Sequence, residues 1–222
     1  GKVPEPVPPL RIGFFTDVHA RPDKRAPKAL ELAAGAMNDE KIDLWICGGD
    51  VIHEGHKSAA ENCVDSYEIF TDFLGRLERP VHAVIGNHDF AGAFPRDGSP
   101  AAPDPTVMWK SAFGEPNTYR SFELGGFHFI MLNSVELTGG PLLYRGHIDD
   151  TQMSWLAGEV SALPKKQPIV LVTHVPFRTT FFQEVNGPNA ALPANLAVDN
   201  ANEVLALFED RNLPLALPGH LH

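Results

Sequence analysis

Five segments of the chain that read as strands end in side chains able to bind metal ions. They are Asp17 and His19 in "FFTDVHA", Asp50 in "CGGDV", Asn87 and His88 in "IGNHD", His174 in "LVTHV", and His220 with His222 in "PGHLH". An Asp-x-His pair alone means little, because it arises often by chance. Five exits of one kind mean more: the carboxyl ends of parallel strands share one edge of an open α/β sheet, so groups scattered along the chain converge there. Gly48, Gly49, Gly86 and Gly219 accompany them, allowing tight turns and close backbone approach where a side chain would obstruct a site. Carboxylate and amide oxygens mixed with imidazoles suit borderline divalent metals such as Mn, Fe or Zn, and the groups are too many for one tetrahedral ion. Two ions are implied. A bridging carboxylate would hold them about 3.5–4 Å apart, the spacing at which metal pairs clamp the attacking and leaving oxygens of a phosphoryl displacement. Asp50, central in the set, is the natural bridge.

The elements that must position these residues alternate between strand and helix patterns, which predicts an α/β layered domain. "RIGFFTD", "DLWICGGD", "RPVHAVIGNHD", "QPIVLVTH" and "LPLALPGHLH" read as strands. "APKALELAAGAMNDE", "SAAENCVDSYEIFTDFLGRL", "DDTQMSWLAGEVSAL" and "NANEVLALFEDR" read as helices, the third capped by Asp149 or Asp150. "YRSFELGGFHFIMLNS" reads as a hairpin turning at Gly125 and Gly126. Residues 91–105 and 176–198 read as long irregular stretches. The expected organisation is a stiff Pro-rich tether over 1–10 and one domain over 11–222.

The ordered motifs D-x-H, GGD, GNHD, H and GHxH resemble those of the calcineurin-like metallophosphoesterase superfamily, and their order and the chain's size resemble its compact cyclic-nucleotide phosphodiesterase branch. The motifs run from Asp17 to His222. The resemblance implies a four-layer α/β/β/α sandwich of two mixed sheets. It also implies that Asp17, His19, Asp50 and His222 hold one metal, that Asp50, Asn87, His174 and His220 hold the other, and that His88 meets the phosphate or its leaving oxygen. Metals so held would lower the pKa of a bridging water, so that hydroxide attacks phosphorus in line. One departure is His53 with Glu54, where the protein phosphatases of the superfamily carry an aspartate and a phosphate-gripping arginine. "GDVIH" looks instead like the GD-x-x-H of its DNA-repair nucleases, and makes His53 a candidate catalytic residue. A second departure is that family domains continue past GHxH, which leads to the expectation of a longer natural chain or an incomplete second sheet.

The expected activity is hydrolysis of a small phosphate ester, a phosphodiester such as a cyclic nucleotide in preference to a monoester. A phosphomonoesterase or nuclease on the same cage and a non-catalytic binding scaffold are the alternatives. Substrate choice falls to the loops, with Asn87, His88, Arg178 and Phe177 as candidate substrate contacts and Phe181 and Phe182 as further walls. A net charge of −10 disfavours broad adhesion to nucleic acid or anionic membranes, while bound cations could supply a local positive site. Cys47 and Cys63 are expected as free thiols. The chain carries no apolar run of the roughly 18 residues that would suggest a membrane helix. His82 and His128, alternating within apolar strands, are expected to be structural, and His147 to lie at the surface. The Gly1 start resembles a processed or engineered end, which makes an exported location the expectation, with the cytoplasm left open.

Overall fold

The computed structural model describes residues 9–23 and 25–222, so most of the expected tether lies outside the described residues. Strands β1 (Ile12–Phe15), β2 (Leu44–Cys47) and β3 (Val81–Ala83) pair in parallel in that order. Helices α1 (Ala26–Asn38) and α2 (Val64–Arg76) connect them. After α3 (Val107–Phe113) comes the expected hairpin of β4 (Arg120–Leu124) and β5 (Phe127–Met131), with Gly125 and Gly126 both at positive φ in its turn. Strands β6 (Val135–Leu137) and β7 (Tyr144–Gly146) form a separate small hairpin. Helix α4 (Asp150–Ala162) leads into β8 (Pro168–Val172); α5 (Phe181–Asn186) and α6 (Ala201–Ala206) precede β9 (Asn212–Leu217). The second sheet has the order β4-β5-β8-β9, antiparallel in its first pair and parallel in the others.

The period-two alternation of the strands builds the layers. Leu44 and Ile46 of β2 point inward with Phe129 and Met131 of β5 and Val170 and Val172 of β8, forming a core between the two sheets. Alternate residues face out. Cys47 joins Ala34, Phe70 and Phe73 from α1 and α2, while Ile130, Ile169 and Leu171 join Leu156 and Val160 from α4. The four-layer sandwich expected from the resemblance follows, with the mixed pairing confined to the second sheet. Helix α4 is capped as expected, since Asp149 Oδ1 accepts from the Gln152 amide at 2.9 Å. The buried Gln152 side chain then exchanges two hydrogen bonds with the backbone of Asn133 at the exit of β5.

Several local expectations give way to tertiary context. The helix expected over 58–77 begins as a tight 3-10 turn over Ala60–Cys63 and becomes α-helical only at Val64. The irregular stretch 176–198 contains α5, and the last expected helix shortens to Ala201–Ala206. Both cysteines are free and buried.

A polar link crosses the seam between the sheets at β3 and β4. Arg120 of β4 lies with Nη2 at 2.8 Å from His82 Nδ1, and the His82 ring lies 4.1 Å from that of Phe122. A guanidinium only donates, so His82 must keep Nδ1 unprotonated. Burial and then the Arg120 charge lower its pKa from 6.5 to about 4. The folded state therefore binds fewer protons here than the unfolded state, and this contribution to stability is full above pH 6.5 and lost as pH falls towards 4. In urea unfolding at pH 7 and pH 4.5, His82→Gln, whose amide oxygen accepts at either pH, should show a smaller acid-induced drop in midpoint than the wild type; an equal drop would contradict this reading.

Candidate metal centre

The parallel strands deliver their carboxyl ends to one edge, and backbone hydrogen bonds lock the exits together. The amides of Asp17 and His19 donate to the carbonyls of Gly49 and Asp50, each at 3.0 Å. Within the second sheet the Gly219 amide donates to the His174 carbonyl at 2.9 Å, and across to the first sheet His174 Nδ1 donates to the Gly48 carbonyl at 2.8 Å. Asp17, His19, Asp50 and His220 all adopt positive φ, between 49° and 74°. Left-handed backbone at non-glycine residues costs about 1–3 kcal/mol each and persists where the surroundings over-determine it. The glycines permit the closeness. A Cβ on Gly86 would lie 2.2 Å from Asp50 Oδ1, and one on Gly219 would lie 2.3 Å from Thr16 Oγ1 and 3.0 Å from Asp17 Oδ2.

Among the described residues three donor groups form; one joins His19 to His53 and His88, and the other two contain the carboxylates. Asp17, His19 and His222 bring ligand-type atoms within 4.8 Å of one another, and so do Asp50, His174 and His220. Asn87 adjoins the Asp50 group, with Oδ1 at 3.1 Å from His174 Nε2. Asp50 links the two carboxylate-containing groups: its Oδ2 lies 3.2 Å from His174 Nε2 and 3.8 Å from His19 Nε2, while its Oδ1 accepts the His88 amide at 2.8 Å.

The hydrogen bonds around these groups suit them to divalent cations. His174 Nδ1 is committed to a carbonyl, which directs Nε2 at two oxygens, those of Asp50 and Asn87. A lone pair facing two oxygens needs positive charge between them. Burial alone would lower the His174 pKa, but the Asp50 carboxylate outweighs it and pushes it up to about 9. The same partnership, with His88 adding to it, holds Asp50 below the usual carboxylate range despite its burial. The proton thus occupies the place a cation would take. His220 Nε2 donates to the Asn195 carbonyl at 2.8 Å, which leaves Nδ1 as its ligand atom. These residues could hold two ions in the manner the sequence suggests.

His88 stands at the rim, its ring 4.6 Å from His19, 4.9 Å from His56 and 5.8 Å from His53. The backbone amide of Glu54 donates to His88 Nδ1 at 2.8 Å. That fixes the neutral tautomer with its proton on Nε2, and burial lowers the ring's pKa to about 3. The Asp89 carboxylate accepts the amides of Val51 (2.7 Å), Ile52 (3.3 Å) and Gly86 (2.8 Å), clamping the β2 and β3 exits together.

His53 is exposed but lies with His19, His88 and His222 along one cleft, beside the first turn of α1. Arg178 and Phe177 are placed elsewhere. Arg178 donates to the Asn202 side chain and lines a second cleft with Phe177, which packs against the core, so neither lines the His19 cleft. His147 pairs with Asp199 and His128 with Glu159, outside the donor groups. Sequence reasoning missed His56, Tyr144 and Asn195. The one signal was a second histidine three residues after His53; Tyr144 sits on a three-residue strand with no alternation to betray it.

The family model for calcineurin-like phosphoesterase matches residues 10–222. The chain is 25% identical over 183 residues to a 3′,5′-cyclic-nucleotide phosphodiesterase of Nostoc sp., covering 82% of this chain and 56% of that protein; it thus spans little more than half the relative's length. In three dimensions it is similar to a dimetal phosphatase from Danio rerio, with a TM-score of 0.69 at 19% identity over 98% of this chain and 82% of that one. It is also similar to GAP50, the anchor in the inner membrane complex of Plasmodium, with a TM-score of 0.56 at 14% identity over 95% and 65% of the two chains. At such identities these likenesses concern the fold alone.

Two outcomes test the centre. The raised His174 pKa contributes stability to metal-free protein that is full below pH 6.5 and lost as pH rises through about 9. Mn²⁺ must displace that proton, so its affinity should rise about tenfold per pH unit between pH 7 and 9. Calorimetry in buffers of different ionisation enthalpy should show about one proton released per chain; no release would exclude the arrangement. Gly86→Ala should push Asp50 aside, destabilise by about 1–3 kcal/mol and lower bound Mn by elemental analysis, whereas full metal content would show that the loop yields freely.

Proposed function

The chain belongs to the calcineurin-like phosphoesterase family, and on that premise we propose that it hydrolyses a small phosphodiester, such as a cyclic nucleotide, at two metal ions held by Asp17, His19, Asp50, Asn87, His174, His220 and His222. The observation that carries this reading is the position of Asp50 Oδ2, which faces a histidine of each donor group. The named activity of the Nostoc relative supports the diester. Mn, Fe and Zn all suit the mixed oxygen and imidazole donors.

When bound, a pair of such ions neutralises phosphoryl oxygens and makes a water acidic enough to serve as nucleophile near neutral pH. The chain's own residues orient the ester. His88 keeps its proton on Nε2 because Nδ1 accepts from Glu54, so it donates a hydrogen bond to a phosphoryl or leaving oxygen as a neutral group. The His88 amide holds Asp50 Oδ1, which keeps Oδ2 turned to both carboxylate-containing donor groups. His53, on the cleft wall beside His88, supplies a further imidazole for the bound ester. A diester with one negative charge also suits a chain of net charge −10 better than a long polyanion does.

With Mn-loaded protein, bis-p-nitrophenyl phosphate should be cleaved faster than p-nitrophenyl phosphate. Asp50→Ala should lose both metal and turnover, and His88→Ala should keep the metal while losing about 10²–10⁴-fold in kcat. Preference for the monoester would overturn the substrate class, and metal-loaded protein inactive on both would overturn hydrolysis.

A further inference from the structure

Behind His88 lies an imidazole that the proposed mechanism does not use. His56 is 2% exposed and sits in the middle of the tight turn Gly55–Lys57. The turn is held by the 90–106 loop: the Gly92 amide donates to the Gly55 carbonyl at 3.0 Å and the Phe94 amide to the His56 carbonyl at 2.8 Å. The His56 backbone is therefore fixed, yet its side chain is not satisfied. Among the described residues Nδ1 is buried without a partner. Buried polar groups are as a rule paired, and a phenyl ring of similar shape would fill this place without stranding a polar atom.

The surroundings indicate what the ring is for. Its edge meets His88 at 4.9 Å and 72° and Tyr144 at 6.0 Å and 87°, and Tyr144 in turn lies 6.1 Å from His220. His56 thus stands between the rim histidine and an aromatic wall that reaches a candidate metal ligand. Stranding an acceptor is easier than stranding a donor, which puts the proton on Nε2 and leaves the buried Nδ1 as a bare lone pair. Burial also keeps the ring uncharged at neutral pH. An uncharged donor fits an ester carrying a single negative charge.

We propose that His56 is a substrate-contacting residue that offers a second neutral imidazole N–H, beside that of His88, to a phosphoryl oxygen of the bound ester, with Tyr144 closing the pocket on that side. This rests on the phosphoester reading of the centre and adds a binding group to it. The role separates from simple packing because the two predict opposite signs for stability. His56→Phe keeps the ring contacts and removes the stranded atom, so the metal-free variant should melt at the same temperature as wild type or higher. The same variant, loaded with Mn, should bind inorganic phosphate about tenfold more weakly by calorimetry and lose a similar factor in kcat/KM on bis-p-nitrophenyl phosphate. His56→Gln, which retains an N–H donor, should recover part of both. Unchanged phosphate affinity in His56→Phe overturns the proposal, as does a fall in melting temperature that accompanies the loss of binding. Phosphate binding that depends on His56 in a protein cleaving neither ester would support the contact while refuting hydrolysis; a wild type that binds no phosphate would overturn both.

Discussion

Asp50 is 2% exposed, and a carboxylate so far from water must be met by donors or by positive charge. Much of the edge where the strands end answers that demand. One oxygen accepts the amide of His88; the other faces His174 and His19. Gly86 is bare because any side chain there would collide with the carboxylate. His174, turned by its bond to Gly48, is drawn into the protonated state by Asp50.

Meeting that demand strains the backbone. Asp17, His19, Asp50 and His220 occupy the left-handed region, where L-residues are disfavoured. The surroundings hold them there by short, redundant ties. The Asp17 carboxylate accepts the His220 amide, and Asp89 accepts three amides from two loops. The sandwich behind is conventional packing, with β2, β5 and β8 buried on both faces. The chain thus concentrates its unusual geometry at one edge and leaves the core to supply the stability that edge consumes.

The rim is less symmetrical than the cage. His19, His53, His88 and His222 open onto one cleft, whereas Phe177 and Arg178 line another. Tyr144 lies 6.1 Å from the His220 ring, and Asn195 fixes the tautomer of His220 through its carbonyl. The relatives share the fold but carry different names, a cyclic-nucleotide phosphodiesterase, a dimetal phosphatase and an anchor protein. That variety is expected when chemistry resides in sites grafted on a common frame.

The sequence by itself determined the layered α/β class, the strands that end at the site, and the seven ligand-type residues with His88. These are local facts: apolar runs of strand length, glycines at tight exits and donor side chains beside them are all written within a few residues. It could not assign protonation or orientation, because the partners that decide these come from far away. His174 is oriented by Gly48 across 126 positions, and His19 meets His222 across 203. Separation in sequence likewise hid His56, which meets His88 from a different loop, and Tyr144, whose contacts with His56 and His220 exist only once the small hairpin folds against the site. Arg178 shows the converse, a residue suited to phosphate by type that the tertiary structure turns to Asn202 instead. Short-range pattern decides which side chains a chain carries to an edge; long-range packing decides which atoms of them remain free to act.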